Sequence, residues 1–199
     1  MDDLTSGFNI GTNYSLSQEF NEMVGFTEEE VRQMLAYYAS VLPFRHSVDE
    51  LIEVMKPWYG NYCFDNSECG MAIIYNPAMA LNFVDNYIQS NYEIPKKPCE
   101  VISSTDHEIV RQLIRYAKEF AHDSSIIEDI MTKGFALGYL LDIFPATSIN
   151  TPDGILSLLF NLGMVTIDGT YQSYTRFVIT NEAVRKQMQT NLQIVLSPI

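Results

Sequence analysis

Cations are scarce in this sequence: 12 Lys and Arg face 25 Asp and Glu over 199 residues, for a net charge of -13. Nucleic-acid affinity rests largely on Lys and Arg displacing counterions from phosphates, so the balance argues against a chain built mainly to grip nucleic acid. The shortage is uneven. From Gly154 to Ile199 the acids are Asp168 and Glu182 and the bases Arg176, Arg185 and Lys186, which makes that segment +1 and the remainder -14. Cysteine is also rare. Cys63, Cys69 and Cys99 form neither an even set nor a metal-type pair, and no histidine stands near them in sequence, which disfavours a zinc site and a disulfide framework alike. With no secretory apolar region at the start, reduced thiols in a cytoplasm are the simpler expectation. No apolar run approaches the ~18 residues that cross a bilayer, so no membrane partner is expected.

Catalytic signatures are missing as well. Nothing matches the phosphate cradle G-x-x-x-x-G-K-[ST]; Gly7 and Gly11 have no Lys after them, and Gly134 and Gly138 sit in an apolar run. No acidic residue closes a hydrophobic strand in the manner of a magnesium anchor. The three histidines, His46, His107 and His122, each sit at a helix boundary, where a capping neighbour or the helix dipole accounts for them. Neither a G-x-S-x-G elbow nor an H-E-x-x-H helix occurs. Asp49, Glu50, Asp106, Glu108, Glu128 and Asp129 cluster at helix starts, which the macrodipole favours in any helical protein. No catalytic, nucleotide-binding or metal-binding residue and no cofactor is expected.

What is present is a grammar of caps. Thr27 with Glu30, and Ser47 with Glu50, make capping boxes, and Phe26 precedes the first as a staple onto Val31. Val31, Met34, Leu35, Tyr38 and Val41 continue at helical spacing to Pro43; Leu51, Ile52 and Met55 do so after the second box. Asn76-Pro77 and Thr151-Pro152 each pair an N-cap with proline at the first helical position, and Gly163 stands where the second of these helices should end. Thr105 with Glu108 opens a further helix, another runs from Ser124 or Ser125 to Gly134, and Asn181 caps the last. Tyr62 and Phe64 alternate before an Asp65-Asn66-Ser67 turn and the apolar Met71 to Tyr75, which predicts a small hairpin near 61–75. Met164 to Ile179 predicts a second hairpin turning at Asp168-Gly169. Phe135 to Phe144 is apolar and reads as strand or buried helix alike.

These elements predict a mainly α fold with small β-hairpins. Residues 1–150 form a helical lid-like bundle, and residues 151–199, as helix, hairpin and helix, form a winged-helix-like unit. Aromatic residues crowd one segment, Trp58, Tyr59, Tyr62 and Phe64, either as a groove for a partner or as a packed core around the hairpin. Leu4, Phe8 and Ile10 lie in an otherwise polar start and have the character of residues that pack on something.

Several blocks carry a family resemblance. Met1 to Ile10, Phe20-Asn21-Glu22-Met23, Gly25 to Val31, Trp58 to Phe64, Tyr75-Asn76-Pro77, Ser103 to Asp106 and Ile179 to Arg185 resemble, in order, the bacterial AAA-ATPase-like family. In that family such blocks lie downstream of a P-loop core and are commonly followed by a nuclease-like domain of the PD-(D/E)XK type. The resemblance implies that this sequence corresponds to the lid and tail without the core, so no ATP-binding residue carries over. One departure stands out: where the family reads Trp-Tyr-Asp-Gly-Tyr, this chain has Trp58-Tyr59-Gly60-Asn61-Tyr62.

The expectation is therefore a non-catalytic binding or regulatory protein of the cytoplasm acting through protein contacts. Its partner would be a full-length relative or a second copy, met through Trp58, Tyr59, Tyr62, Phe64, Leu4, Phe8 and Ile10. The rivals are a DNA-binding module using Arg176, Arg185 and Lys186 of the tail, with the last helix and Gln187 toward a groove, and a truncated ATPase fragment.

Overall fold

The computed structural model describes residues 19, 21–64, 73–95, 111–112, 125–141 and 151–196. Leu4, Phe8, Ile10, Cys69, Cys99, His107, His122 and the helix expected from Thr105 to Phe120 lie outside these, Arg111 and Gln112 excepted.

The caps act where their local chemistry requires. β1 (Phe26–Thr27) leads into α1 (Glu28–Val41). Thr27 Oγ1 accepts from Glu30 N at 3.2 Å, and Thr27 N donates to Glu30 Oε2 at 2.8 Å. The same reciprocal pair, Ser47 and Glu50, opens α2 (Val48–Tyr59), in which Pro57 is accommodated inside the last turn. β2 (Ile74–Tyr75) runs into Asn76, whose Oδ1 caps α3 (Pro77–Gln89). Two helix N-terminal carboxylates and two cations brace α1 against α2: Glu28 pairs with Arg32 at 3.2 Å and with Lys56 at 3.3 Å, and Arg32 also meets Asp49. Val31, Leu35, Leu51, Ile52, Met55, Tyr59, Tyr75, Phe83 and Tyr87 form the apolar core these elements share.

β1 and β2 pair antiparallel, Phe26 with Tyr75 and Thr27 with Ile74. β2 also meets the segment expected to form a hairpin near 61–75: among the described residues that pairing is the bridge of Tyr62 to Ile74, and the expected turn lies outside them.

The second half follows as α4 (Ser125–Lys133), β3 (Phe135–Gly138), α5 (Pro152–Asn161), β4 (Val165–Tyr171), β5 (Tyr174–Ile179) and α6 (Glu182–Leu196). Phe135–Gly138 thus resolves as strand. Helix, hairpin and helix occur over 151–196 as expected, but the sheet reaches further back: its order is β3-β5-β4, all antiparallel. α4 and β3 share a core with the tail, Ile127, Ile130 and Ala136 packing with Leu156, Leu159, Phe160, Ile167, Phe177 and Met188. Gly138 is where β3 meets α5, since a Cβ there would lie 2.5 Å from Leu156 Cδ1.

α5 ends at a glycine for a physical reason. Gly163 has φ +68 and donates to Phe160 O at 2.9 Å, while Met164 N reaches Leu159 O at 2.8 Å, the paired bonds of a Schellman motif. The turn expected at Asp168-Gly169 is a correction. Ile167 pairs with Phe177 and Thr170 with Thr175, which leaves one residue extra on β4, a bulge absorbed by Gly169 at φ +84. The chain turns at Gln172–Ser173, both at positive φ, as a mirror-image two-residue turn demands.

Candidate functional site

The aromatic segment after α2 lies at the junction of the two cores. Gly60 closes α2, donating to Lys56 O at 3.1 Å, and a Cβ there would stand 2.9 Å from that same oxygen. Asn61 takes φ +69, a left-handed conformation that asparagine tolerates better than other side chains except glycine. Beyond it Tyr62 N donates to Ile74 O at 3.2 Å, and the Tyr62 ring lies over Gly163.

Long-range polar contacts then fasten the segment to the second core. Cys63 N donates to Thr166 Oγ1 at 2.7 Å, and that hydroxyl donates back to Cys63 O at 2.9 Å. Asn181 Nδ2 donates to Gly60 O at 3.2 Å while its Oδ1 accepts from Val184 N and caps α6. Asn76 and Asn181 both reach the Tyr62 hydroxyl; burial raises the Tyr62 pKa above the ordinary tyrosine value, and these two hydrogen bonds oppose the rise. Phe64 N donates to Asn21 Oδ1 at 3.0 Å, and the Phe64 ring packs edge-on to Phe160 with centroids 5.9 Å apart.

The four aromatics expected to meet a partner are thus engaged within the chain. Tyr59 is 2% exposed and Tyr62 9%. Phe64 and Trp58 are half-buried, and Lys186 sits 4.2 Å from the Trp58 ring centroid. The three tail cations are engaged too. Arg176 pairs with Asp168 across the β4 bulge and lies 5.0 Å from the Phe135 ring centroid; Arg185 pairs with Glu182 at 3.2 Å. Gln187, expected to face a groove, is buried, because the turn of α6 that carries it packs inward with Val184 and Met188.

A different group of residues faces outward. Leu137, Tyr139, Tyr171 and Tyr174 are all exposed, Tyr171 at 57% and Tyr139 at 49%. Tyr139 and Tyr174 pack together with centroids 4.8 Å apart, and burial followed by the Tyr174 hydroxyl raises the Tyr139 pKa. Tyr171 and Tyr174 are paired across the Gln172–Ser173 turn. The sequence signal was the tyrosine at either side of a two-residue turn, obscured by the stronger Asp168-Gly169 signal four residues earlier.

Among the described residues, acid–base groups form no comparable assembly. His46 Nδ1 lies 3.0 Å from the Tyr87 hydroxyl, which also accepts from the backbone N–H groups of Arg45 and His46, so the ring secures the loop before α2. Glu50 caps a helix, and the Ser47 backbone and hydroxyl hold its pKa below the ordinary carboxylate value. Asp49, Glu28 and Asp129 are paired with cations. Among the described residues no group of three or more His, Cys, Asp and Glu is placed to hold a metal ion, and none of the helices is long and apolar enough to cross a membrane. No family model, curated protein or solved structure matches the chain.

Proposed function

We propose that this chain is a non-catalytic binding module that works through protein contacts, made by the sheet end carrying Leu137, Tyr139, Tyr171 and Tyr174. The observation that carries the reading is the surface of the β3-β5-β4 unit, aromatic at its tip and without a free cation among its described residues. Order and pairing of α4, β3, α5, β4 and β5 support a winged-helix-like interpretation, in which β4–β5 is the wing and α5 the helix that a nucleic-acid reader would insert in the groove. α5 suits that task poorly. Pro152–Asn161 holds no Lys or Arg, Gly154, Ile155, Leu156 and Ser157 are buried in succession, and Asp153 accepts from Tyr139 N at 2.9 Å. A groove-reading helix needs an exposed face, and phosphate affinity needs cations.

Tyrosine suits a protein interface for the opposite reason: its ring supplies apolar area at little conformational cost, and its hydroxyl stays solvated until a partner meets it. The resemblance to the bacterial AAA-ATPase-like family adds a partner class, an intact relative of that family, and a cytoplasmic setting. The test has two arms. Titration of labelled duplex DNA with micromolar protein at low salt is expected to give no binding, and capture of an intact relative is expected to be lost on Tyr171→Ser with Tyr174→Ser. DNA binding that disappears on Arg185→Ala with Lys186→Ala would overturn the reading, as would ATP turnover by the purified chain.

A further inference from the structure

The tyrosines of the sheet end stand beside a carboxylate that no cation neutralises among the described residues. Residues directly opposite in an antiparallel pair share a face. Tyr171 is opposite Tyr174, and Gly138 is opposite Thr175, so Tyr139, the next residue, comes to lie against Tyr174. The Tyr139 and Tyr174 planes are tilted by 41°, and the three rings make an exposed row across β3, β5 and β4. Asp153, in the first turn of α5, accepts from Tyr139 N through Oδ1 at 2.9 Å. Its other oxygen takes no hydrogen bond, and its charge meets no cation, among the described residues. The positive end of the α5 dipole favours the ionised form. That charge is felt at the neighbouring phenol: burial and the Tyr174 hydroxyl raise the Tyr139 pKa, and Asp153 adds to the rise. Arg176 is the sole cation of the three strands, and Asp168 already pairs with it. Ring faces and a carboxylate attract the same kind of group. The negative face of an aromatic ring draws a cation, Arg most often, and the carboxylate supplies the counter-charge. An anionic partner is repelled here, the more so by a chain of net charge -13.

We infer that the tyrosine row takes a basic segment of its protein partner, an Arg side chain of which stacks on Tyr139 and Tyr174 with Asp153 as its counter-charge. The inference rests on the reading of the sheet end as a protein-contact surface and adds the chemistry of what it contacts. Asp153 has two tasks in it. One oxygen holds the Tyr139 backbone, which keeps that ring against Tyr174, and the other is left for the incoming cation. Arg suits the place better than Lys, because a planar guanidinium stacks on a ring and donates to a carboxylate at once. The same sheet shows the arrangement within the chain: Arg176 pairs with Asp168 and lies 5.0 Å from the Phe135 ring centroid.

A capped peptide of alternating glycine and arginine tests it, titrated at low salt into the full chain labelled with carbon-13 in its tyrosine rings. The comparison peptide carries citrulline for arginine, which keeps the planar shape and loses the charge. The arginine peptide is expected to shift the Tyr139 and Tyr174 ring signals at concentrations about fivefold or more below those citrulline needs, with the exposed Tyr37 unmoved. Asp153→Asn keeps an acceptor for Tyr139 N and removes the charge. It should raise the arginine concentration needed by about fivefold and leave the citrulline response unchanged. Asp85→Asn, at an exposed carboxylate of α3, should alter neither. Equal responses to the two peptides, no ring shift with arginine, or an effect of Asp85→Asn as large as that of Asp153→Asn would overturn the inference. Should Asp153→Asn prevent folding, arginine against citrulline on the unsubstituted chain still decides. The reading beneath fails in a different way: capture of an intact relative would survive Tyr171→Ser with Tyr174→Ser, whatever the peptides do.

Discussion

Replacing Thr166 by valine removes one oxygen and keeps the shape, which isolates the bond pair that ties the two halves together. The hydroxyl accepts from Cys63 N at 2.7 Å and donates to Cys63 O at 2.9 Å, and both residues are about nine-tenths buried or more. The substitution therefore takes the partner from a buried backbone N–H and one hydrogen bond from the Cys63 carbonyl. An unsatisfied buried donor costs roughly 1–3 kcal/mol, so the loss should be about 1–3 kcal/mol, and water reaching the junction makes the upper figure a ceiling. For a chain of this length that corresponds to a fall in Tm of roughly 2–12 °C. Thr166→Ser is the control: it keeps the hydroxyl and loses one methyl, which should cost about 1 kcal/mol. Urea unfolding of the three proteins, followed by circular dichroism and by the fluorescence of Trp58, separates the cases. A valine variant within about 0.5 kcal/mol of the parent, or a serine variant worse than valine, would refute the argument that hydrogen bonding and not packing fastens Thr166 to Cys63.

Four further outcomes follow from local chemistry. Ser47→Ala should destabilise the chain by about 1 kcal/mol by undoing the α2 cap. Because the folded state lowers the Glu50 pKa, the contribution of that carboxylate is present above its unfolded value and lost as pH falls through the folded one, so Glu50→Gln should flatten the acid limb of a stability–pH curve. At the left-handed position, Asn61→Val should cost about 1–3 kcal/mol in urea unfolding while Asn61→Gly is close to neutral. Burial raises the pKa of Tyr62 and of Tyr75, so their contribution is complete below the ordinary tyrosine value and lost as pH rises above it. Tyrosinate absorbance should therefore appear together with loss of structure, and Tyr62→Phe should weaken that alkaline transition.

Helix starts were legible in the sequence because a cap is a bond between residues three apart. Thr27 with Glu30, Ser47 with Glu50, Asn76, Thr151 and Asn181 all act as read. What depended on distant partners was not legible. Asp168-Gly169 is the strongest local turn signal in the tail, yet pairing of Ile167 with Phe177 and Thr170 with Thr175 converts it into a bulge. The third strand, Phe135–Gly138, had no alternation to distinguish it from a helix, and its place was set by β5 forty residues later. The same limit governed the candidate site. Trp58, Tyr59, Tyr62 and Phe64 are equally suited in composition to a groove and to a junction, and the choice was made by Thr166 and Asn181, more than a hundred residues from the groups they bind. The outward tyrosines went unread because their exposure follows from where the hairpin turns.

The measurement closest to the central claim is photo-crosslinking in extracts of the source cells, with a benzophenone side chain replacing Tyr171 or Tyr174 and, as a control, the exposed Tyr37 of α1. Protein contact through the sheet end predicts a discrete protein adduct, identified as an intact relative, at positions 171 and 174 and not at 37. Adducts to nucleic acid at those positions, or no position-specific protein adduct at all, would contradict it.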